Sequence, residues 1–426
     1  MASMLAKQLL EANEIDFIFC FSPSLIVSTD FQAEIENQTG RRLDGKLGAH
    51  GCSITYQGML TLGQEFWQLF DQYRVFVIFD EIHHCAGSDF HNANAWGQII
   101  LSKIQDRAAY SLALSGTPWR SDNIPIALSH YRLEDNSIHC DYEYGLSKAI
   151  SDGVCRTPRL ILIDNDHIQL HSIDETRQYR SFSELLEQTE CSYQQIIENE
   201  GLVTYTLKQA SEKLDRLRQT VTDAGGLIVA ASVSHARKIK SILQYELGEH
   251  AAIATYQEDD ALTVIRDFKC SKDKWIISVG MISEGTNIPR LRVCCHLSRV
   301  KTELYFRQIL GRILRATGHG EEGFLYMPAE PSLIKYAYQL AEDIPTSNVV
   351  NTEKMKVHGG KPTNNRLTKT NHVPIDVVLK GTQKHVVQSE HELPLNPFTK
   401  SSLADAYDRT IGVFGRFKEE LVTMNF

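Results

Sequence analysis

Two adjacent carboxylates, Asp80 and Glu81, follow an apolar run at 75–79 and are themselves followed by Ile82-His83-His84. Far along the chain, Gln308-Ile309-Leu310-Gly311-Arg312-Ile313-Leu314-Arg315 supplies the opposite charge. Hydrolysis of a nucleoside triphosphate needs one group to hold Mg2+ through its water shell and another to orient or deprotonate the attacking water. It also needs cations against the charge that develops on the transferred phosphoryl group. Asp80 suits the metal and Glu81 the water. Arg312 and Arg315, three apart and so on one face of a helix, suit the phosphoryl charge, with Leu310, Ile313 and Leu314 left for packing. Each cluster alone is weak, because acidic pairs after strands are mostly solvated loop ends and basic amphipathic helices are common.

To act together, such groups need a rigid framework. Short continuous apolar runs at 17–21, 75–79 and 112–114, and again at 227–231, 275–279 and 293–297, each end in small or polar residues. This is the pattern of strands buried on both faces of a parallel sheet, so the sequence predicts an α/β chain with two parallel-sheet units. Ligands in such folds gather beyond the carboxyl ends of the strands, which is where the candidate residues fall. Residues 1–130 and 223–328 read as the two units. The polar stretch 131–222, helical over 183–219, reads as a connector with a helical insertion, and 329–426 as a partly flexible C-terminal extension. At 1–14, Met4, Leu5, Leu9 and Leu10 recur at helical spacing and predict a core-facing helix. Between 354 and 384, seven Lys or Arg stand against one Asp, which reads either as a solvated linker or as an arm touching phosphate backbone.

A length of 426 residues accommodates two or three domains, and 42% apolar with 23% charged residues provides for packed cores. A net charge of −9 argues against a general nucleic-acid coat protein, so any strand-binding site must be local. The nine cysteines are scattered without a Cys-x-x-Cys pair, which fits a reducing, cytoplasmic compartment. No stretch approaches membrane-spanning length, and no membrane partner is expected. His83, His84, Cys85 and His91 match no familiar zinc set, and Trp96, Trp119 and Trp275 read as packing residues.

Read in order, Phe21-Ser22-Pro23-Ser24, Ile54-Thr55-Tyr56-Gln57, Asp80-Glu81-Ile82-His83, Ser115-Gly116-Thr117-Pro118, Glu284-Gly285-Thr286-Asn287-Ile288-Pro289 and 308–315 form a series. The series resembles the ordered motifs of superfamily 2 DExH/DEAD-box helicases, and within them the relatives of DNA-repair translocases and restriction-enzyme motor subunits. The resemblance covers about residues 1–326. It implies two RecA-like lobes of the P-loop NTPase type, ATP and Mg2+ as cofactors, and a nucleic-acid partner, DNA in preference to RNA. Asp80 would hold Mg2+ through water and Glu81 would activate the attacking water. Gln308, Arg312 and Arg315 would face the triphosphate, with Gly285 and Asn287 also at the nucleotide. His83, Ser115, Gly116 and Thr117 would couple nucleotide state to movement. Ser22, Pro23, Thr55, Tyr56, Ser232, Glu284 and Thr286 would line the strand groove, contacting sugar and phosphate without reading sequence.

Two departures stand out. Asn287 occupies a position where many relatives carry Asp, keeping a hydrogen-bonding oxygen but losing a charge. No complete Gly-x-x-x-x-Gly-Lys-Ser/Thr loop occurs, although its backbone N–H groups, Lys and hydroxyl are what hold the β and γ phosphates and Mg2+. The near-match Gly40-Arg41-Arg42-Leu43-Asp44-Gly45-Lys46-Leu47 has Leu47 where the hydroxyl belongs and follows a polar helical segment instead of a strand. The helix at 1–14 resembles the one that follows such a loop, so the first lobe is expected to be truncated at its N-terminus. Two expectations follow: an ATP-dependent helicase or translocase, or a catalytically impaired nucleic-acid-binding remnant.

Overall fold

The computed structural model describes residues 1–120, 122, 124–132, 134, 137–171, 176–257, 260–280, 287–316, 318 and 320–342, together with the backbone of 410–423. The first sheet unit comprises α1 (Ala2–Glu11), β1 (Phe17–Ser22), α2 (Leu25–Thr39), β2 (Gly51–Thr55), α3 (Tyr56–Met59), α4 (Gln64–Gln72), β3 (Val75–Phe79), α5 (Ala95–Ile99) and β4 (Tyr110–Ala113). Its four strands run parallel in the order β2-β1-β3-β4. Side chains alternate between two cores, as the pleat requires. Phe19, Phe21, Val75, Val77 and Phe79 pack with Tyr56, Trp67 and Phe70, whereas Ile18, Cys20, Phe76 and Ile78 pack with Ala6 of α1 and Ile35 of α2. Each fully buried side chain of this size contributes about 1.5–3 kcal/mol, which is why β1 and β3 read as unbroken apolar runs. On α1, Leu5, Leu9 and Leu10 pack inward as expected, but Met4 is exposed.

A two-stranded hairpin, β5 (His130–Tyr131) with β6 (Ile138–His139), and α6 (Leu146–Ser151) lead into the second unit. It comprises β7 (Thr157–His171), β8 (Thr176–Tyr179), α7 (Phe182–Gln188), α8 (Tyr193–Ile197), α9 (Glu200–Arg218), β9 (Gly225–Ala230), α10 (Val233–Glu246), β10 (Ala251–Thr255), α11 (Ala261–Cys270), β11 (Trp275–Val279), β12 (Leu291–Leu297), α12 (Glu303–Ile313), β13 (Glu322–Pro328), α13 (Pro331–Glu342) and β14 (Thr410–Thr423). The strand order is β10-β11-β9-β12-β13-β7-β14, with β8 on β7. It is parallel from β10 through β7 and antiparallel where β8 and β14 join. One face carries α11, α12 and α13 through Phe268, Phe306, Ile309, Ile313 and Leu333; the other carries α9 and α10 through Leu207, Ala210, Ile239 and Leu243. Near the start of β9, Gly226 has no room for a side chain, since a Cβ there would stand 2.1 Å from the buried Trp275 ring.

The organisation expected for 131–222 is therefore corrected. Its helices α7 to α9 are present, but β7 pairs with β13 from Thr157↔Glu322 to Ile163↔Pro328 and belongs to the second sheet. Its apolar core, Leu160 to Ile163, sits among Arg159, Asp164 and Asn165, which breaks the apolar run that marks the other parallel strands. The extension is likewise joined to this sheet, since β14 lies along β7 from Thr410↔His171 to Thr423↔Arg159. The basic stretch 354–384 lies outside the described residues. Among the described residues, no helix is long and apolar enough to cross a membrane.

Candidate active site

Asp80 and Glu81 leave the carboxyl end of β3 between two neighbouring strands. The Asp80 N–H donates to the Phe21 carbonyl (2.9 Å) and the Ile82 N–H to the Leu114 carbonyl (3.0 Å). Between them Glu81 adopts φ 51°, ψ 50°, a left-handed conformation that costs a non-glycine residue roughly 1–2 kcal/mol and is held here by those flanking bonds. Burial raises the Asp80 pKa to about 6, with the Glu81 charge adding to the effect, while a main-chain hydrogen bond, His84 and Arg312 oppose it. Glu81 Oε2 is shielded from solvent, with the His83 imidazole beside it.

His83 connects this pair to the next strand end. Its Nδ1 lies 2.9 Å from Ser115 Oγ and 3.2 Å from Glu81 Oε2. Ser115 Oγ also accepts the Thr117 N–H (3.0 Å), and Thr117 is buried beneath the exposed Gly116. Arg120, itself fastened to Asp122 by Nε and Nη2, donates from Nη1 to the His83 carbonyl. His83 thus contacts both Glu81 and the Ser115–Thr117 turn.

The strand-groove candidates divide. Pro23, Thr55 and Ser232 are half-buried at the carboxyl ends of β1, β2 and β9. Thr55 Oγ1 caps α3 by accepting the Gly58 N–H (3.0 Å), and Ser232 Oγ caps α10 by accepting the His235 N–H (3.1 Å). Ser22 and Tyr56 are corrected: Ser22 is 1% exposed and turns its hydroxyl to the Ser24 carbonyl, and Tyr56 is fully buried. Tyr56 stacks on Trp96, with centroids 5.5 Å apart, and donates its hydroxyl to the Asp80 carbonyl (2.8 Å), so Tyr56 supports the main chain of the site. Glu284, Gly285 and Thr286 lie outside the described residues.

From the second sheet, α12 is capped by Thr302 and carries Gln308 and Arg312, one turn apart. Both are half-buried, and the Arg312 charge reaches Asp80, drawing its pKa down. The expected sharing of one helical face by Arg312 and Arg315 is corrected, because α12 ends at Ile313. The Leu314 carbonyl instead accepts the Arg156 N–H (2.6 Å), and Arg315 forms an antiparallel bridge with Cys155. Arg315 Nη1 donates to Asn287 Oδ1 at 2.5 Å. Burial lowers the Arg315 pKa, while Asp30 on α2 of the first unit raises it. The structure thus brings Glu81, His83 and Ser115 together beside Asp80 and joins Asn287 to Arg315. Arg120 adjoins a motif and could have been picked from sequence by that position; Asp30 and Arg156 carry no such sign.

Residues 40–47 do not form a phosphate cradle beside Asp80. They follow α2 and lead through Ala49 and His50 to the amino end of β2, with the Gly45 N–H bound to the Gly51 carbonyl (3.0 Å) and Leu47 99% exposed. Asp80 lies at the opposite, carboxyl edge of the same sheet. Among the described residues, no group of three or more His, Cys, Asp or Glu side chains could enclose a metal ion. The all-oxygen donor set of the adjacent carboxylates Asp80 and Glu81 instead fits Mg2+, which keeps several waters and is shared with phosphate oxygens.

No family model matches the chain. It is 31% identical over 296 residues to the uncharacterized protein ML1624 of Mycobacterium leprae, covering 68% of this chain and 49% of that protein. It is 30% identical over 296 residues to the uncharacterized protein Rv2917 of Mycobacterium tuberculosis, covering 68% and 48%. The chain therefore spans about half the length of the curated relatives it matches. Similar solved structures include Dbp5 of S. cerevisiae bound to RNA and ADP BeF3 (11% identity, TM-score 0.42, 77% of this chain and 75% of that chain). The helicase MrfA bound to DNA and AMPPNP has 14% identity and a TM-score of 0.44, covering 82% and 47%. The ATP-dependent restriction-modification enzyme LlaBIII bound to DNA has 12% identity and a TM-score of 0.43, covering 80% and 27%.

Proposed function

We propose that the chain is an ATP-dependent nucleic-acid motor of the superfamily 2 DExH type, with two RecA-like lobes, acting on DNA in preference to RNA in the cytoplasm. The observation that carries this reading is the Asp80–Glu81 carboxylate pair at the carboxyl end of β3, with His83 Nδ1 lying between Glu81 and Ser115 at the next strand end. Phosphoryl transfer needs such a pair together with cations, which Arg312 on α12 and Arg315 just beyond it would supply.

In this mechanism Glu81 orients a water molecule toward the γ-phosphorus and accepts its proton as the new P–O bond forms. The bond to the β-phosphate oxygen breaks, and ADP keeps the electron pair. Asp80 would hold Mg2+ through its waters; when bound, that ion neutralises charge on the β and γ oxygens. Arg312 and Arg315 offset the charge gathering on the transferred group, Gln308 lies beside it, and Gly285 and Asn287 complete the nucleotide side. His83, Ser115, Gly116 and Thr117 relay the change, and Pro23, Thr55, Ser232, Glu284 and Thr286 meet the strand.

A second reading, a strand-binding protein that hydrolyses ATP poorly, is favoured by one observation: residues 40–47 lie at the wrong edge of the sheet to anchor phosphates. Phosphate release with and without single-stranded DNA separates the two. Strand-stimulated release that Glu81→Gln abolishes supports the motor, whereas strand binding without release supports the second reading.

A further inference from the structure

The buried side chain of Arg156 touches no candidate residue, yet it holds the two segments from which the Arg315–Asn287 pair extends. Arg156 is 1% exposed and lies just before β7. Its Nη1 donates to the carbonyls of Leu291 (2.6 Å) and Ile313 (3.1 Å), its Nη2 to that of Pro289 (2.8 Å), and its Nε to Glu321 Oε2 (2.7 Å). Its main-chain N–H donates to the Leu314 carbonyl (2.6 Å). Glu321 in turn accepts Arg292 at Oε1 (2.7 Å). Gly323 keeps the space open, since a Cβ there would stand 2.7 Å from the Ile313 carbonyl oxygen.

Burying a guanidinium is costly unless it is paired and hydrogen-bonded, and an apolar residue fills space more cheaply. What arginine alone supplies is a rigid plane of donors able to fix several acceptors relative to one another. Here the acceptors belong to the last turn of α12 and to the turn entering β12. Arg315 follows Leu314 directly, and Asn287 lies two residues before Pro289. Moving either segment moves one half of the pair.

We infer that Arg156 is a positioning residue for the nucleotide-facing Arg315–Asn287 pair, acting through main-chain carbonyls. The inference rests on the proposed role of Arg315, because a misplacement of about 1 Å at such a cation is enough to slow turnover up to 100-fold.

The test compares Arg156→Lys, Arg315→Ala, the double variant and a control, Lys274→Ala. The control breaks a comparable network of Lys274 with Glu249, Asp215 and Ser211 elsewhere on the second sheet. Strand-stimulated phosphate release and amide hydrogen exchange are both measured. Arg156→Lys is expected to lower kcat about tenfold with KM for ATP changed less than about twofold, and the double variant to be no slower than Arg315→Ala. Exchange should quicken about fivefold in peptides covering 287–291 and 311–316, while Lys274→Ala leaves kcat and both peptides unchanged. Unchanged exchange at those peptides in Arg156→Lys, or a double variant slower by the product of the single effects, overturns the inference. An Arg315→Ala variant with unaltered kcat overturns the role of Arg315 instead, and the exchange result then still decides whether Arg156 holds the two segments. If Arg156→Lys does not fold, Glu321→Gln, which removes the charge that fixes the guanidinium, should show the same exchange pattern with kcat lowered about threefold.

Discussion

The buried hydroxyl of Tyr56 donates to the main-chain carbonyl of Asp80 across 2.8 Å, so a residue at the end of β2 sets the height of the carboxylate pair at the end of β3. Trp96 stacks on the same ring and keeps it in place.

Tyr56→Phe should therefore leave a buried carbonyl unsatisfied and destabilise the protein by about 1–2 kcal/mol. Turnover should fall several-fold with strand affinity unchanged, as measured by chemical denaturation, ATPase assay and DNA-binding titration. Loss of strand affinity with turnover intact would return Tyr56 to the groove.

Asp80 should make stability depend on pH in a defined direction. Its folded-state pKa is raised from 3.8 to about 6 by burial, so between those values the native protein holds a proton that the unfolded chain has released. Stability conferred by this group is thus present at about pH 4 and lost as pH rises through about 6. Asp80→Asn should stabilise the nucleotide-free protein at pH 7.5 by about 1–3 kcal/mol, and the gain should vanish near pH 4. Thermal melts of both forms across that range check the sign; an Asp80→Asn variant that is less stable at pH 7.5 would contradict it.

Trp119 follows the Ser115–Pro118 segment, and the Arg307 guanidinium of α12 lies 5.5 Å from its ring centroid. Such a contact is worth about 0.5–1 kcal/mol at a partly exposed site, enough to bias how the two lobes meet without fixing them. Trp119→Ala should reduce the stimulation of ATPase by DNA about threefold while leaving unstimulated turnover unchanged. Equal loss of both rates would show that Trp119 serves only to pack the first lobe.

How much of this was legible in the sequence depends on where each element lies. Strands β1, β3, β9, β11 and β12 show as apolar runs because both of their faces are covered or nearly so, whereas β4 is a largely exposed edge strand marked only by the short run at 112–114. Strands β2 and β10 are the outermost parallel strands of their sheets and are built from Gly-Cys-Ser-Ile-Thr and Ala-Ala-Ile-Ala-Thr, too small and polar to stand out. The partner of β7 on one side, β14, arrives more than two hundred residues later, which no local pattern reveals. For the site, strand-end placement singles out Glu81, His83 and Ser115, which the fold sets beside one another. It could not tell a surface hydroxyl from a buried one: the fate of Tyr56 is decided by Trp96, forty residues away. Nor could helical spacing reveal that α12 stops before Arg315, since the stop is imposed by Arg156 from another part of the chain.

The most direct measurement is strand-stimulated ATP hydrolysis by the protein and by Glu81→Gln, with nucleotide and DNA binding followed in parallel. The substitution should lower kcat at least about 100-fold while both affinities stay within about twofold, because it removes the group that takes the proton of the attacking water and little else. Unchanged turnover in Glu81→Gln, or loss of both affinities together with turnover, would contradict a hydrolytic site built on Asp80, Glu81 and Arg312.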